Sequence, residues 1–316
     1  MARVIQRLKR RSLFDLQVNG FAGVDFQQRE LPRAALLKAV KALHRHRTHR
    51  ILLTLITDDI DALCRRLEQI EAHRVADPLI AETIPGYHLE GPYLSPEVGY
   101  CGAHPASMMR APSRGDFELL NEAAGGRIKL ITLAPEWKGS GEYIAYVRRR
   151  GVVVSLGHTN ATDAQIDAAV KAGATLCTHL GNAVPATLPR HDNVMQRLLA
   201  RDELTACLIP DGLHLPPYVL KNFFRAKPPG NVVLTTDCMA AAGAPPGIYS
   251  IGRLQVEVGR DRVVREPGKP NFSGSALTLD RGVENASRWL GITRDEAWAM
   301  SSTGVAKIFG VKLPLI

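Results

Sequence analysis

The sequence holds little cysteine, no long apolar run and no repeat, and each absence narrows what the chain can be. Its five cysteines (Cys64, Cys101, Cys177, Cys207, Cys238) are odd in number, scattered, and never arranged as CxxC. That pattern argues against a disulfide framework or a cysteine zinc site and points to free thiols in a reducing, cytoplasmic compartment. No window approaches the roughly 18 apolar residues that a membrane-spanning helix needs, and no apolar h-region follows the basic start. A soluble protein is expected. Acidic residues are in deficit, 31 against 40 Lys and Arg, giving a formal charge of +9. The surplus is concentrated in residues 7–11 and 45–50, where a solvated helix face accounts for it, and no nucleic-acid-binding motif accompanies it. With no internal repeat, low-complexity tract or linker, and with 45% hydrophobic residues, the 316 residues fit one large domain spanning 1–316.

What is present is a regular alternation. Short β-branched or apolar runs at 13–18, 51–55, 85–89, 128–133, 152–156, 174–178, 205–209 and 232–236 predict eight strands. Amphipathic stretches at 31–43, 60–72, 141–149, 162–172 and 217–224 lie between them and predict helices. Eight strands alternating with helices predict a closed, parallel α/β barrel, a (β/α)₈ TIM barrel. After the eighth strand the period changes. Residues 249–264 alternate and contain a turn at 259–262, predicting a β-hairpin, and helices follow at 278–290 and 294–309.

Active sites of such barrels lie at the C-terminal ends of the strands. Four polar residues stand there: Glu90 after the third strand, His158 after the fifth, His179 after the sixth and Asp237 after the eighth. One carboxylate and two imidazoles suit a divalent metal, Zn²⁺ above all, with an open position left for water. Asp237 is then placed to move protons between that water and a leaving amine. Any one strand-end histidine is more simply a hydrogen-bonded structural residue. Four candidate groups at one end of four different strands are not expected from core packing.

The blocks HLEGPY (88–93), GHTNA (157–161), THLGNA (178–183), DGLH (211–214), TDCMAAAG (236–243) and SGSALTLD (273–280) occur in an order that resembles the N-acetylglucosamine-6-phosphate deacetylase family of metal-dependent amidohydrolases. The resemblance runs from residues 15–20 to residues 301–306. It implies that Glu90, His158 and His179 hold the metal and that Asp237 is the acid/base. It further implies that His214 meets the sugar and helps polarise the acetamide carbonyl, and that Ala103 and His104 line the same pocket. Asn182 and Ala183 would offer hydrogen bonds, Arg190 would bind the sugar phosphate from a neighbouring subunit of a homodimer, and Phe272, Ser273 and Gly274 would form the last wall. Many amidohydrolases carry His-x-His on the first strand for a second metal; Gln17-Val18-Asn19 stands there instead, which implies one metal. Gly181 replaces a usual aromatic. The segments flanking the barrel are shorter than the family's, so its small β-sandwich should be absent or reduced.

The expected reaction is hydrolysis of N-acetylglucosamine 6-phosphate to glucosamine 6-phosphate and acetate. Two other readings stay open: a deacetylase for N-acetylgalactosamine 6-phosphate or an unphosphorylated N-acyl sugar, and a noncatalytic barrel that binds an anionic sugar or nucleic acid. The retained Glu90, His158, His179 and Asp237 weigh against the second, because binding alone needs no hydrolytic water.

Overall fold

In the computed structural model, which describes residues 10–268 and 272–316, a strand overlaps each of the eight apolar runs. These are β1 Leu13–Val18, β2 Thr48–Ile56, β3 Gly86–Glu90, β4 Ile128–Leu133, β5 Val153–Leu156, β6 Leu176–Cys177, β7 Thr205–Leu208 and β8 Val232–Leu234. They lie in chain order and pair in parallel, with helices between them: the expected TIM barrel. Residues 7–9 of the first basic run lie outside the described residues. The second run, 45–50, is no helix face, since it forms the turn from helix Arg33–Arg45 into β2 at the end of the barrel opposite the strand C-termini.

Local chemistry explains the helix limits. Asp59 starts Ile60–Ala76 by accepting from the Asp61 and Ala62 N–H groups. Thr162 and Gln165 form a reciprocal capping box at the start of Asp163–Ala172, and Gly173 ends that helix at φ 116°. The predicted helix 294–309 is two helices, Arg294–Met300 and Thr303–Phe309. The break has a cause: Ser301 O accepts from Phe14 N–H at 2.9 Å and Ser302 Oγ donates to Ser12 O at 2.6 Å, so the chain gives up helical bonds to pair with β1. Thr303–Phe309 then closes the lower end of the barrel, with Val305 and Ala306 packed among Phe14, Leu16 and Leu52.

The barrel closes without a regular ladder between β1 and β8. Val18 bridges Cys238 in parallel, and Asn19 N–H donates to Cys238 O at 2.8 Å. Beside this, the buried Asp15 carboxylate accepts from Thr235 Oγ1 and Thr236 Oγ1 at 2.6 Å each, so side chains take the place of main-chain pairing.

Beyond the barrel, the predicted hairpin is a three-stranded antiparallel sheet, β9 Gly247–Ile251, β10 Leu254–Val258 and β11 Val264–Arg265. The turn expected at 259–262 is its second connection. The first is tighter, at Gly252 and Arg253, where Gly252 adopts φ 57° and donates its N–H to Asp25 Oδ2 at 2.9 Å. Among the described residues, the other strands outside the barrel are the pair Gly20–Phe21 and Val24–Asp25.

Candidate active site

The chain turns sharply as it leaves β5, β6 and β8. His158, His179 and Asp237 have positive φ, at 51°, 29° and 50°, a region that costs a non-glycine residue about 1–3 kcal/mol. Neighbouring segments hold each turn: Ser95 N–H donates to His158 O at 2.9 Å, Leu180 N–H to Cys207 O at 3.0 Å, and Ser275 N–H to Asp237 O at 3.2 Å. The strain aims three polar side chains into the barrel mouth, where Glu90, at the end of β3, meets them.

Glu90, His158 and His179 are 2%, 6% and 3% exposed. His179 Nε2 lies 3.1 Å from Glu90 Oε1 and 3.1 Å from His158 Nε2, while His158 Nε2 lies 3.4 Å from the same oxygen. Ligands about 2.0–2.1 Å from a tetrahedral zinc ion stand roughly 3.3 Å apart, so this triangle has the size of three corners of such a site. His158 Nδ1 faces Tyr100 O at 2.9 Å; donating there, it leaves Nε2 with its lone pair toward the triangle. Burial alone would raise the Glu90 carboxyl, but hydrogen bonds from His158 and His179 hold it well below its ordinary value. Burial lowers His179, yet the Glu90 carboxylate outweighs it and the net shift is upward. One carboxylate oxygen and two imidazole nitrogens at these spacings form a donor set that fits a divalent metal.

His104 stands close enough to compete for a place in that set. Glu90, His104 and His158 also present ligand atoms within 4.8 Å of one another. His104 Nε2, however, is 3.7 Å from Glu90 Oε2, longer than any side of the triangle that includes His179. The tighter triangle is the one that contains His179. His88, inside the barrel, is occupied on both ring nitrogens by Thr54 and Thr132 hydroxyls at 3.3 and 2.8 Å.

The first-strand amides point donors at carboxylates. Gln17 Nε2 donates to Glu90 Oε1 at 2.9 Å and Asn19 Nδ2 to Asp237 Oδ1 at 2.8 Å, while both amide oxygens lack a hydrogen-bond partner. Asp237 is partly exposed to the cleft; desolvation of its carboxyl first, then the Glu90 charge, push its pKa up to about 7. His214 faces the same space, its Nδ1 held 2.6 Å from Asp211 Oδ2, whose other oxygen accepts the Leu213 and His214 N–H groups at 2.8 and 2.9 Å.

These groups open into a cleft of about 500 Å³, within the range of small-ligand pockets. Ala103, His104, Asn182, Ala183, His214, Phe272 and Gly274 line it together with Glu90, His158, His179 and Asp237. Two expected contacts lie elsewhere. Ser273 is fully buried, its N–H donated to Val264 O at 3.2 Å, and Arg190 is exposed on the loop after β6, outside this cleft. Sequence reading had not singled out Tyr100, Asp211 or Gly102. A Cβ at Gly102 would lie 2.9 Å from His158 Cε1, so glycine there lets the loop cross the ring. Asp211 was visible only as part of DGLH; a carbonyl such as that of Tyr100 leaves no sequence signal.

No family model matches the chain. It is 30% identical over 301 residues to the N-acetylglucosamine-6-phosphate deacetylase of Bacillus subtilis, spanning 95% of this chain and 74% of that protein. The human protein of the same name is 34% identical over 311 residues, 94% of this chain and 73% of its own. Among solved structures, that of a mutant Mycobacterium smegmatis N-acetyl-D-glucosamine-6-phosphate deacetylase in complex with N-acetyl-D-glucosamine 6-phosphate superposes with a TM-score of 0.85. It is 31% identical and matches 96% of this chain and 78% of that one. The Pasteurella multocida protein of the same name gives 0.85 at 30% identity, covering 97% of this chain and 78% of its own.

Proposed function

Because this chain belongs to the N-acetylglucosamine-6-phosphate deacetylase family, we propose that it hydrolyses N-acetylglucosamine 6-phosphate to glucosamine 6-phosphate and acetate. The observation that carries the reading is the Glu90–His158–His179 triangle beside Asp237, inside a cleft lined by further polar groups. Glu90, His158 and His179 would hold one divalent ion, and the mixed oxygen and nitrogen donors favour zinc. Bound there, it would polarise the acetamide carbonyl and lower the pKa of a water toward about 7.

The chain's own groups supply the rest. The Asp237 carboxylate takes a proton from the attacking water and returns it to the amine nitrogen as the C–N bond breaks, giving acetate and the free amine. Asn19 orients that carboxylate by its 2.8 Å bond to Oδ1. His214, steadied by Asp211, would meet the sugar and help polarise the acetamide carbonyl, with Ala103, His104, Asn182 and Ala183 along the pocket wall. Ser273, buried behind Phe272 and Gly274, would act by shaping that wall. We place this reaction in the cytoplasm, in keeping with five free cysteines; no helix among the described residues is long and apolar enough to cross a membrane.

The phosphate contact is assigned to Arg190 acting across a homodimer. Its exposure outside its own cleft suits a side chain that serves a neighbouring subunit, and its planar fork suits phosphate. The decisive experiment measures acetate release from zinc-loaded protein with N-acetylglucosamine, N-acetylgalactosamine and their 6-phosphates. N-Acetylglucosamine 6-phosphate should give the highest kcat/KM. Equal turnover with and without phosphate would remove the phosphate requirement, and no turnover on any sugar would remove the activity.

A further inference from the structure

We infer that Asp15 is a positioning residue for Asp237, acting through Thr236. The inference rests on the proposed role of Asp237 as the proton carrier.

Asp15 is 1% exposed at the seam between β1 and β8. Its Oδ1 accepts from Thr235 Oγ1 at 2.6 Å, Thr236 N–H at 3.2 Å and Gln17 N–H at 3.3 Å, and its Oδ2 accepts from Thr236 Oγ1 at 2.6 Å. A carboxylate is the side chain that can accept so many donors at one buried point. The two threonines differ in what comes next. Thr235 Oγ1 stops at Asp15. Thr236 Oγ1 donates to Asp15 and also accepts the Cys238 N–H at 3.1 Å, so this hydroxyl spans the residue between, Asp237, whose φ is 50°.

The far side of that turn is held by the same strand. Cys238 O accepts Asn19 N–H at 2.8 Å, and Asn19 Nδ2 reaches Asp237 Oδ1. Asp15 therefore fixes β1, which presents Gln17 and Asn19, against the turn that presents Asp237. With Thr236 unable to bridge, the Asp237 turn keeps only the Ser275 and Asn19 bonds and relaxes toward a less strained backbone, shifting the carboxylate. A misplacement of about 1 Å in a reacting group can cost roughly a hundredfold in rate.

The test compares Asp15→Asn, Thr235→Val, Thr236→Val and Asp237→Asn for kcat, KM, metal content and Tm. Both valine variants lose one 2.6 Å bond to the same carboxylate and Thr236→Val also loses the Cys238 N–H bond, so a seam that is only structural predicts kcat losses that follow the Tm losses across the pair. The inference predicts that Thr236→Val and Asp15→Asn lower kcat by about 10- to 100-fold at full metal content, with KM within about threefold of wild type. Thr235→Val should keep kcat within about threefold while its Tm still falls for the lost bond to Asp15, though less than that of Thr236→Val, which also loses the Cys238 N–H bond. Equal kcat effects in the two valine variants, or wild-type kcat in Thr236→Val, would overturn it. The valine pair decides the matter even if Asp15→Asn does not fold. Wild-type kcat in Asp237→Asn would sink the underlying catalytic reading instead; an inactive Asp237→Asn beside a fully active Thr236→Val would sink only the role of Asp15.

Discussion

Replacing Asp237 by Asn exchanges one ionisable oxygen for an amide of nearly the same shape. Asn19 Nδ2, now 2.8 Å from Asp237 Oδ1, can keep its bond to the new amide oxygen. The structural cost is small for a second reason: desolvation of the Asp237 carboxyl and the nearby Glu90 charge push its pKa up to about 7, so a neutral side chain relieves repulsion. Metal-free Asp237→Asn should therefore match or exceed the wild-type Tm at pH 8. The amide cannot carry a proton between water and amine. General acid/base contributions of about 10² to 10⁴ then set the expected loss in kcat, or roughly 2.7 to 5.4 kcal/mol of barrier. The assay is acetate release under saturating N-acetylglucosamine 6-phosphate, with metal content measured on the same samples. A variant that keeps one metal and its fold while turning over within about threefold of wild type would refute the assignment of Asp237.

Other outcomes follow from the same geometry. His158→Ala and His179→Ala should lose metal and activity together, whereas His104→Asn should keep the metal; loss of metal in His104→Asn with retention in His179→Ala would move the centre to the other histidine set. Arg190→Ala should raise KM for the phosphorylated sugar about ten- to a hundredfold, the worth of a charged hydrogen bond, without changing metal content. A fully active monomer by light scattering would contradict the shared site. Gly181 sits at φ 93°, and a Cβ there would lie 2.7 Å from Phe223 Cε2, so Gly181→Ala should lower stability by about 1–3 kcal/mol in a thermal melt. Burial, then the nearby His49 and Arg50, lower His44 to about 4, so the native state there binds fewer protons than the unfolded state below pH 6.5. Stability is thus lost as pH falls from 6.5 toward 4, and His44→Gln should flatten that slope in urea melts. Because Asp237 must be ionised to accept a proton, kcat/KM should rise with pH on the acid side. Its midpoint should lie between the ordinary 3.8 and about 7, since a bound cation would draw the carboxyl down.

Much of the barrel was legible because a parallel strand buried on both faces reads as a near-continuous apolar run, as in residues 51–53 and Val232–Leu234. Where sequence and structure part, hydrogen bonding decides. β6 is only Leu176–Cys177, because the N–H of Ala174 still bonds back to Ala169 O of the preceding helix. The amphipathic stretch 294–309 breaks at Ser301 and Ser302, whose polar groups serve β1 at the barrel's lower end, a partner about 290 residues away that no local pattern records. The strand-end placement of Glu90, His158, His179 and Asp237 could be read from spacing alone. That three of them adopt a left-handed backbone could not, since histidine and aspartate only modestly favour that region and no glycine marks it. Asp15 was equally silent: its importance appears only when β1 and β8 meet.

The most direct test of the account is a titration of metal-free protein with zinc, following acetate release from N-acetylglucosamine 6-phosphate at each addition. The Glu90–His158–His179 triangle, with Gln17 and Asn19 turned as donors toward the carboxylates, predicts no activity at zero metal and a linear rise to a plateau at one equivalent per chain. A break at two equivalents, or full turnover without metal, would contradict it.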